Sequence, residues 1–242
     1  MNILILGATS DISRAIAHDY AQEGHLLLLA GRNLSELEKD ATDLQIRYEV
    51  KAIPLKFDAL DTDNHLAFYE ALDPKPDLVF CVFGYLGDQK EQEEHWEKAE
   101  EVLKVNYLGA ASILHHIAND FQKRGEGTIV GISSVAGERG RASNYFYGSA
   151  KAGFTAFLSG LRNRLFSSQV HVMTVIPGYV RTRMTEGMKL PGPLTADPQE
   201  VSTSIRKAIK KKANVLYVKG SWRWIMMIIK MIPENIFKKL SL

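Results

Sequence analysis

The sequence contains few of the features that mark secreted or membrane-spanning proteins. Its 242 residues include a single cysteine, Cys81, and eight prolines. One cysteine excludes an internal disulfide and favours a reducing compartment. No apolar run approaches the roughly 20 residues of a membrane-spanning helix, and the opening segment MNILILG predicts a strand rather than a secretory signal. We therefore expect a cytoplasmic protein, with at most peripheral contact at the inner face of the membrane.

Metal ions and nucleic acids are also poorly matched by the sequence. His115 and His116 are neighbours on a predicted helix, but no cysteine or carboxylate stands at ligand spacing beside them. The basic run near the C-terminus lacks a nucleic-acid recognition motif. We expect neither a metal site nor a nucleic-acid partner.

The net charge of +2 conceals an uneven distribution. Residues 1–138 hold 12 basic and 24 acidic residues, whereas residues 139–242 hold 18 and 4. If the two parts interleave in one fold, their fields largely cancel. However, residues 206–242 alone carry ten basic residues and one acid, Glu234. This concentration favours an anionic partner near the C-terminus, either a phosphate or an anionic membrane.

Apolar runs alternate with helical patterns along the chain, and the hydrophobic fraction of 45% suffices for a full core. This alternation predicts one α/β domain, a doubly wound parallel sheet with helices on both faces. In such sheets the ligand binds outside the carboxyl ends of the strands. The predicted strands are residues 3–6, 26–30, 50–57, 78–83, 128–132 and 170–176. The residues at their ends are Gly7, Arg32, Asp58, Gly84, Ser134 and Pro177.

The first strand runs into a glycine turn, residues 7–13, which is followed by a helical pattern through Ala21. This arrangement is typical of dinucleotide binding, because backbone N–H groups at the helix N-terminus receive the pyrophosphate. The turn residues after Gly7 that we expect at the phosphates are Thr9, Ser10, Asp11 and Ile12. Asp11 is also a candidate helix cap, although a carboxylate near phosphates is repulsive.

The second strand leads into Gly31-Arg32-Asn33. At this place an acid accepts the 2′-hydroxyl of NAD, whereas an arginine accommodates the 2′-phosphate of NADP. Arg32 therefore favours NADP over NAD, and the alternative is an exposed loop arginine with no ligand.

Tyr147 and Lys151 are four residues apart, which places them on one face of a helix. An ammonium beside a phenol favours the phenolate, so we expect the pKa of Tyr147 to lie below its usual value of about 10. Such a phenol acts as an acid/base near neutral pH. Ser134 stands thirteen residues earlier, just after the apolar run 128–132, where its hydroxyl can reach that of Tyr147.

The glycine turn, Ser134, the Tyr147-x-x-x-Lys151 pair and the segment Pro177–Thr182 together resemble the short-chain dehydrogenase/reductase family. The resemblance extends over nearly the whole chain, as one domain of residues 1–242. It implies a Rossmann fold, reversible carbonyl reduction with NAD(P)H, and a homodimer or homotetramer. In the implied mechanism Tyr147 donates a proton to the substrate oxygen, and Ser134 hydrogen-bonds that oxygen.

The resemblance also assigns roles to further residues. Lys151 lowers the pKa of Tyr147 and holds the nicotinamide ribose, while Asn106, in Lys104-Val105-Asn106-Tyr107, holds a water of a proton relay. Asp58 is implied to contact the adenine. The remaining implied cofactor-binding residues are Gly84, Pro177, Gly178, Val180 and Thr182, the last through its hydroxyl to the carboxamide.

Two stretches depart from the family pattern. Of the three glycines usual in the first turn, the chain keeps Gly7 and has Asp11 and Ser13 at the other two places. The usual N-N-A-G sequence is replaced by Cys81-Val82-Phe83-Gly84. A non-catalytic nucleotide sensor or scaffold is therefore an alternative to an enzyme.

The C-terminal part adds a substrate side. Residues 183–200, rich in Gly, Pro, Met and Thr, predict a mobile flap over the substrate. Residues 221–242 form an apolar and basic extension. Trp and Lys at its edges suit a helix in the lipid interface, and the alternative is a helix buried against the core or a sister subunit.

The details at residues 57–63, 83–88, 136–141 and 224–240 resemble one subgroup, the reductase partners of decaprenylphosphoryl-ribose 2-epimerases. That resemblance implies a keto-sugar on a polyprenyl phosphate as substrate and an oxidase as partner. The alternative is a soluble carbonyl or 3-oxoacyl reductase.

Overall fold

The structure is a computed structural model that describes residues 1–240. The last two residues of the predicted extension 221–242 lie outside the described part.

Seven parallel strands form the central sheet, in the order β3-β2-β1-β4-β5-β6-β9. The chain order reverses between β1 and β4, which opens a crevice at their carboxyl ends. A separate pair, β7 and β8, follows β6 in the chain. The strands are β1 Asn2–Leu6, β2 Leu26–Gly31, β3 Ala52–Lys56, β4 Leu78–Cys81, β5 Thr128–Ile132, β6 His171–Ile176, β7 Tyr179–Val180, β8 Thr195–Ala196 and β9 Val215–Tyr217.

Helices cover both faces of the sheet. The helices are α1 Asp11–Gln22, α2 Leu34–Tyr48, α3 His65–Glu70, α4 Gln89–Glu94, α5 Trp96–Leu103, α6 Ala110–Arg124, α7 Tyr145–Leu165, α8 Pro198–Lys210, α9 Ser221–Met231 and α10 Glu234–Phe237. Alternate residues of β1 serve two cores because successive side chains of a strand point to opposite faces. Ile3 and Ile5 pack on the side of α1 and α2, and Leu4 and Leu6 pack on the side of α6 and α7. Burial on both faces explains why the strands are continuous apolar runs.

The predicted single α/β domain with a doubly wound parallel sheet is confirmed. The acidic stretch 88–101 is two helices, since the backbone is extended at His95. Residues 104–109 form a π-helical turn. Residues 198–200, which the prediction included in the flap, are the first turn of α8, and Asp197 caps that helix together with Glu200.

Within residues 1–240, no helix is long and apolar enough to cross a membrane. The described part of the C-terminal extension contains two short helices, α9 and α10. Helix α9 lies against the 3-10 turn Val135–Glu138, and α10 is joined to Arg139, which follows that turn, through Glu234.

Candidate active site

Helix α7 and strand β5 bring three of the predicted catalytic residues together. Ser134 follows β5 and begins a 3-10 turn, and it lines the same cleft as Tyr147, with its hydroxyl close enough to lower the pKa of the phenol. One turn further along α7, the Lys151 ammonium lies 5.7 Å from the centre of the Tyr147 ring. Lys151 is buried and donates a hydrogen bond of 3.1 Å to the carbonyl of Ile132, the last residue of β5. The strand thus fixes the lysine as well as the serine.

The expectation of a lowered Tyr147 pKa is wrong for this structure. Burial of the phenol raises its pKa to about 12, and the hydrogen bond from Ser134 only partly offsets that rise. Burial also lowers the pKa of Lys151 to about 8. Both shifts have one physical cause, since burial penalises the charged form of each group. Tyr147 therefore keeps its proton at neutral pH, as a proton donor must.

Asn106 lies beside this cluster, buried in the π-helical turn. Its amide donates to the carbonyls of Tyr85 and Val102, at 2.6 and 2.9 Å, and its oxygen accepts from the Tyr85 N–H at 3.2 Å. Gly84 separates it from Lys151: a Cβ at Gly84 would lie 2.9 Å from the Asn106 oxygen and 3.4 Å from the lysine nitrogen. Asn106 therefore braces the segment after β4, and its predicted relay water stays a prediction.

The glycine turn keeps its shape with one glycine. Gly7 has φ +84°, and a Cβ there would lie 2.7 Å from the backbone nitrogen of Phe83. Ser10, not Asp11, is the N-cap of α1, because its hydroxyl accepts from the Ser13 N–H. The buried Ser13 hydroxyl in turn donates to the Gly7 carbonyl at 2.8 Å. These hydroxyls replace the absent glycines by binding the turn internally.

Asp11 has a partner that the sequence analysis missed. Its carboxylate accepts from the backbone N–H of Arg183 at 2.8 Å and lies 3.4 Å from the guanidinium of the same residue. The Arg183 guanidinium also donates to the carbonyl of Thr9 and lies 3.4 Å from Glu36. Arg183 thus joins the segment after β7 to the glycine turn. The sequence signal for this pair was Asp11 itself, an acid at a position where the family pattern has a glycine.

Arg32 and Asp58 stand where the pattern placed them, at the ends of β2 and β3. Arg32 is exposed and followed by Asn33, which caps α2. The Asp58 carboxylate accepts from the N–H of Leu60 at 3.0 Å, and its backbone carbonyl contacts His65 at 3.0 Å. Asp58 is half-buried, and Ile12 lines the cleft described below.

The turn after β6 closes the other side of the site. The Pro177 carbonyl accepts from the N–H of Val135, next to Ser134, at 3.0 Å. A Cβ at Gly178 would lie 2.0 Å from the indole of Trp222, so α9 packs directly on this turn. Val180 is buried in β7, and Thr182 begins the 3-10 turn that contains Arg183.

These elements enclose a cleft of about 750 Å³. Ser134 and Tyr147 line it at one side, and apolar side chains line much of the rest. The apolar lining residues are Ile12, Leu86, Val135, Ala136, Ala142, Val180, Met184 and Met188. The size and lining suit a small-molecule site, and no cluster of metal-ligating side chains occurs within residues 1–240.

A model of the short chain dehydrogenase family matches residues 1–190. The chain belongs to this family. It is 35% identical to an uncharacterised oxidoreductase of Streptomyces coelicolor over 99% of this chain and 95% of that protein. An uncharacterised oxidoreductase of Mycobacterium tuberculosis is 32% identical over 98% and 96%.

A solved structure of a short-chain dehydrogenase from Sphingobium yanoikuyae in complex with NADPH superposes with a TM-score of 0.84. The two chains are 22% identical over 96% of each. This likeness supports the fold. The relatives and the structure are oxidoreductases and a dehydrogenase, so the prediction of a short-chain dehydrogenase/reductase enzyme is confirmed at family level.

Proposed function

We propose that the protein reduces a ketone with NADPH by a Ser134–Tyr147–Lys151 mechanism, in a reaction that runs reversibly to the alcohol. The observation that carries the proposal is that Ser134 and Tyr147 line one cleft, with the buried Lys151 ammonium 5.7 Å from the centre of the Tyr147 ring.

The residues present fit a nicotinamide dinucleotide. Gly7 leaves no side chain between the glycine turn and Phe83, and helix α1 begins directly after that turn, with Ile12 of its first turn lining the cleft. Arg32 supplies a cation at the end of β2, where the Rossmann arrangement reads the adenosine ribose. A cation at the position of the adenosine ribose supports NADPH, and NADH is the alternative. When bound, the reduced nicotinamide supplies a hydride to the substrate carbonyl.

The chain's own groups handle the oxygen of that carbonyl. The Ser134 hydroxyl donates a hydrogen bond to the oxygen as negative charge develops there. Tyr147, which holds its proton because its pKa is raised, delivers it to the same oxygen. Lys151 is cationic below its pKa of about 8 and stabilises the tyrosinate that remains. The cofactor-holding roles of Asp58, Gly84, Pro177, Gly178, Val180 and Thr182 belong to the same proposal.

The cleft supports a ketone with an apolar substituent. The nicotinamide would take part of its volume of about 750 Å³, because Ile12, Gly178, Val180 and Thr182 line it, and methionines 184 and 188 form a flexible apolar wall for the remainder.

A second candidate substrate is a keto-sugar on a polyprenyl phosphate, produced by the oxidase of an epimerase pair. The exposed apolar face of α9, close to the cleft, favours a substrate with a lipid tail. The expected homodimer or homotetramer stays a prediction.

The test is NADPH oxidation by the purified chain over a panel that pairs bulky ketones with short ones and with a 3-oxoacyl thioester. We expect oxidation with bulky apolar ketones and little with acetone-sized ones. A chain that binds NADPH but oxidises it with no member of the panel would favour the alternative of a nucleotide sensor. Preference for the thioester would favour the 3-oxoacyl reductase.

A further inference from the structure

We propose that the outer face of α9 and α10 binds the anionic surface of a lipid bilayer and holds the protein there with its cleft beside the membrane. The face consists of six exposed apolar side chains, called here the C-terminal apolar face. They are Trp224, Met227, Ile228, Met231, Ile236 and Leu240.

Helix α9 carries apolar side chains on two sides, and one of these sides packs against the rest of the domain. Trp222 and Met226 are buried against the turn at Gly178 and the residues after Ser134. Trp224, Met227, Ile228 and Met231 follow at i, i+3, i+4 and i+7, which places them on one stripe of the helix. Trp224 and Ile228 are each 61% exposed. An apolar stripe of this kind on a helix marks an interaction surface.

Polar contacts hold the two helices in a fixed place. Lys230 lies 3.1 Å from Glu138, which also accepts a 2.6 Å hydrogen bond from Tyr217. Arg139 pairs with Glu234 at 2.7 Å and lies 4.1 Å over the ring of Phe237. The C-terminal apolar face is therefore presented by docked helices rather than by a loose tail.

The charge around this face selects the partner. Arg223, Lys238 and Lys239 are exposed at its edges, while Lys230 is paired with Glu138 and Glu234 with Arg139. Apolar side chains flanked by lysine and arginine, with a tryptophan among them, are what an anionic lipid surface binds. The acyl region takes the apolar side chains, and the headgroups neutralise the cations.

A second copy of the chain suits this face less well. A two-fold interface brings the same patch of both copies together, so the cations Arg223, Lys238 and Lys239 of each copy would be brought near those of the other and repel them. A stable protein interface also uses roughly 20 residues from each partner, and the C-terminal apolar face offers six apolar side chains.

The position of α10 connects this surface to the reaction site. Arg141 and Ala142 line the main cleft and also a neighbouring cavity of about 300 Å³ whose other wall includes Phe237 and Leu240. A bilayer at the C-terminal apolar face thus lies next to the entrance of the cleft, where a lipophilic ketone is concentrated.

The test is co-sedimentation of the full chain with vesicles of phosphatidylcholine alone or with phosphatidylglycerol added. We expect binding to the anionic vesicles that falls as salt is raised. Ile228→Glu should lower the partition coefficient about tenfold or more, because it places a charge in the apolar stripe. Ile46→Glu is the matched control, since Ile46 is 76% exposed on α2, and it should bind as the wild type does.

Lys238→Ser with Lys239→Ser provides a second variant that leaves the apolar contacts intact. It should reduce binding to anionic vesicles on the order of tenfold and leave binding to neutral vesicles unchanged. The proposal is overturned if the full chain does not bind anionic vesicles, or if Ile228→Glu and Ile46→Glu bind equally. A change of oligomeric state in Ile228→Glu alone, measured by light scattering, would assign the face to a second copy and also overturn it.

Discussion

Lys151 is the residue at which stability and the proposed chemistry conflict most directly. Its ammonium is buried with the Ile132 carbonyl as a hydrogen-bond acceptor, and burial lowers its pKa to about 8 from about 10.4 in an unfolded chain. The unfolded chain therefore binds more protons between these two values. By linkage, the unfolding free energy of the wild type rises with pH through that window, and the cost of the buried charge is fully present below about pH 8.

Lys151→Met should stabilise the protein while it abolishes turnover. The variant removes the buried charge, so we expect a gain of about 1–3 kcal/mol near pH 7 that shrinks as pH rises from about 8 to 10. Denaturant unfolding at several pH values measures it. A variant less stable than the wild type at pH 7 would contradict the assignment of a buried, costly charge. Turnover at the wild-type rate would contradict the role of Lys151 in the reaction.

Asn106 should behave as a structural brace whatever its role in proton transfer. Truncation to alanine leaves the N–H and carbonyl of Tyr85 and the carbonyl of Val102 without their side-chain partner. We expect a loss of about 2–4 kcal/mol in the unfolding free energy. Asn163→Ala, at an exposed position of α7, is the control and should change stability little. Equal stability of the two variants would contradict the brace.

At the scale of elements, the Arg183–Asp11 ion pair explains a glycine turn that carries an acid. With its partner in place, the Asp11 carboxylate is neutralised beside the predicted pyrophosphate position. Removal of Arg183 would leave that carboxylate to repel the phosphates.

Arg183→Ala should therefore weaken NADPH binding about fivefold to tenfold, measured by calorimetric titration. Adding Asp11→Asn to it should restore part of the affinity. Arg181→Ala is the matched control, because Arg181 pairs with Asp197 at the surface. If Arg183→Ala and Arg181→Ala bind NADPH alike, the ion pair has no part in cofactor binding.

The packing of α9 on the turn after β6 gives a second prediction for elements. Gly178→Ala would place a Cβ 2.0 Å from the Trp222 indole, whose N–H also donates to the Leu194 carbonyl at 2.9 Å. We expect a loss of about 1–3 kcal/mol and a shift of tryptophan fluorescence as the indole moves. Gly192→Ala, where an added Cβ meets nothing within 4 Å, should leave both unchanged. An unshifted spectrum in Gly178→Ala would contradict the contact.

At the scale of the whole molecule, the structure pairs some of the unevenly distributed charges and leaves others exposed. Basic residues of the second part pair with acids of the first: Arg206 with Asp19 and Glu23, and Arg183 with Asp11 and Glu36. The exposed Arg223, Lys238 and Lys239 stay outside this interleaving. The charges of these pairs therefore cancel within the domain, whereas the three exposed cations remain at its C-terminal end.

The parallel sheet and the gathering of Ser134, Tyr147 and Lys151 were predictable because they depend on local patterns. Apolar runs define the strands, their ends define one edge of the sheet, and a spacing of four residues defines a helical face. The Arg183–Asp11 pair and the contact of Trp222 with Gly178 join residues far apart in the chain, so no local spacing indicates them. The sign of the Tyr147 pKa shift was wrong because burial, which spacing cannot measure, raises the pKa by more than Ser134 lowers it.

The most direct test of the central claim compares Tyr147→Phe with the wild type in turnover and in NADPH affinity. The substitution removes one hydroxyl from a partly buried ring, so the fold and the cofactor affinity should be retained. We expect a dissociation constant for NADPH within about twofold of the wild type and a turnover lower by on the order of 10²-fold or more. Adding Ser134→Ala should lower turnover little further, because the two hydroxyls act as a unit. Turnover near the wild-type rate in Tyr147→Phe would contradict the claim that this hydroxyl delivers the proton.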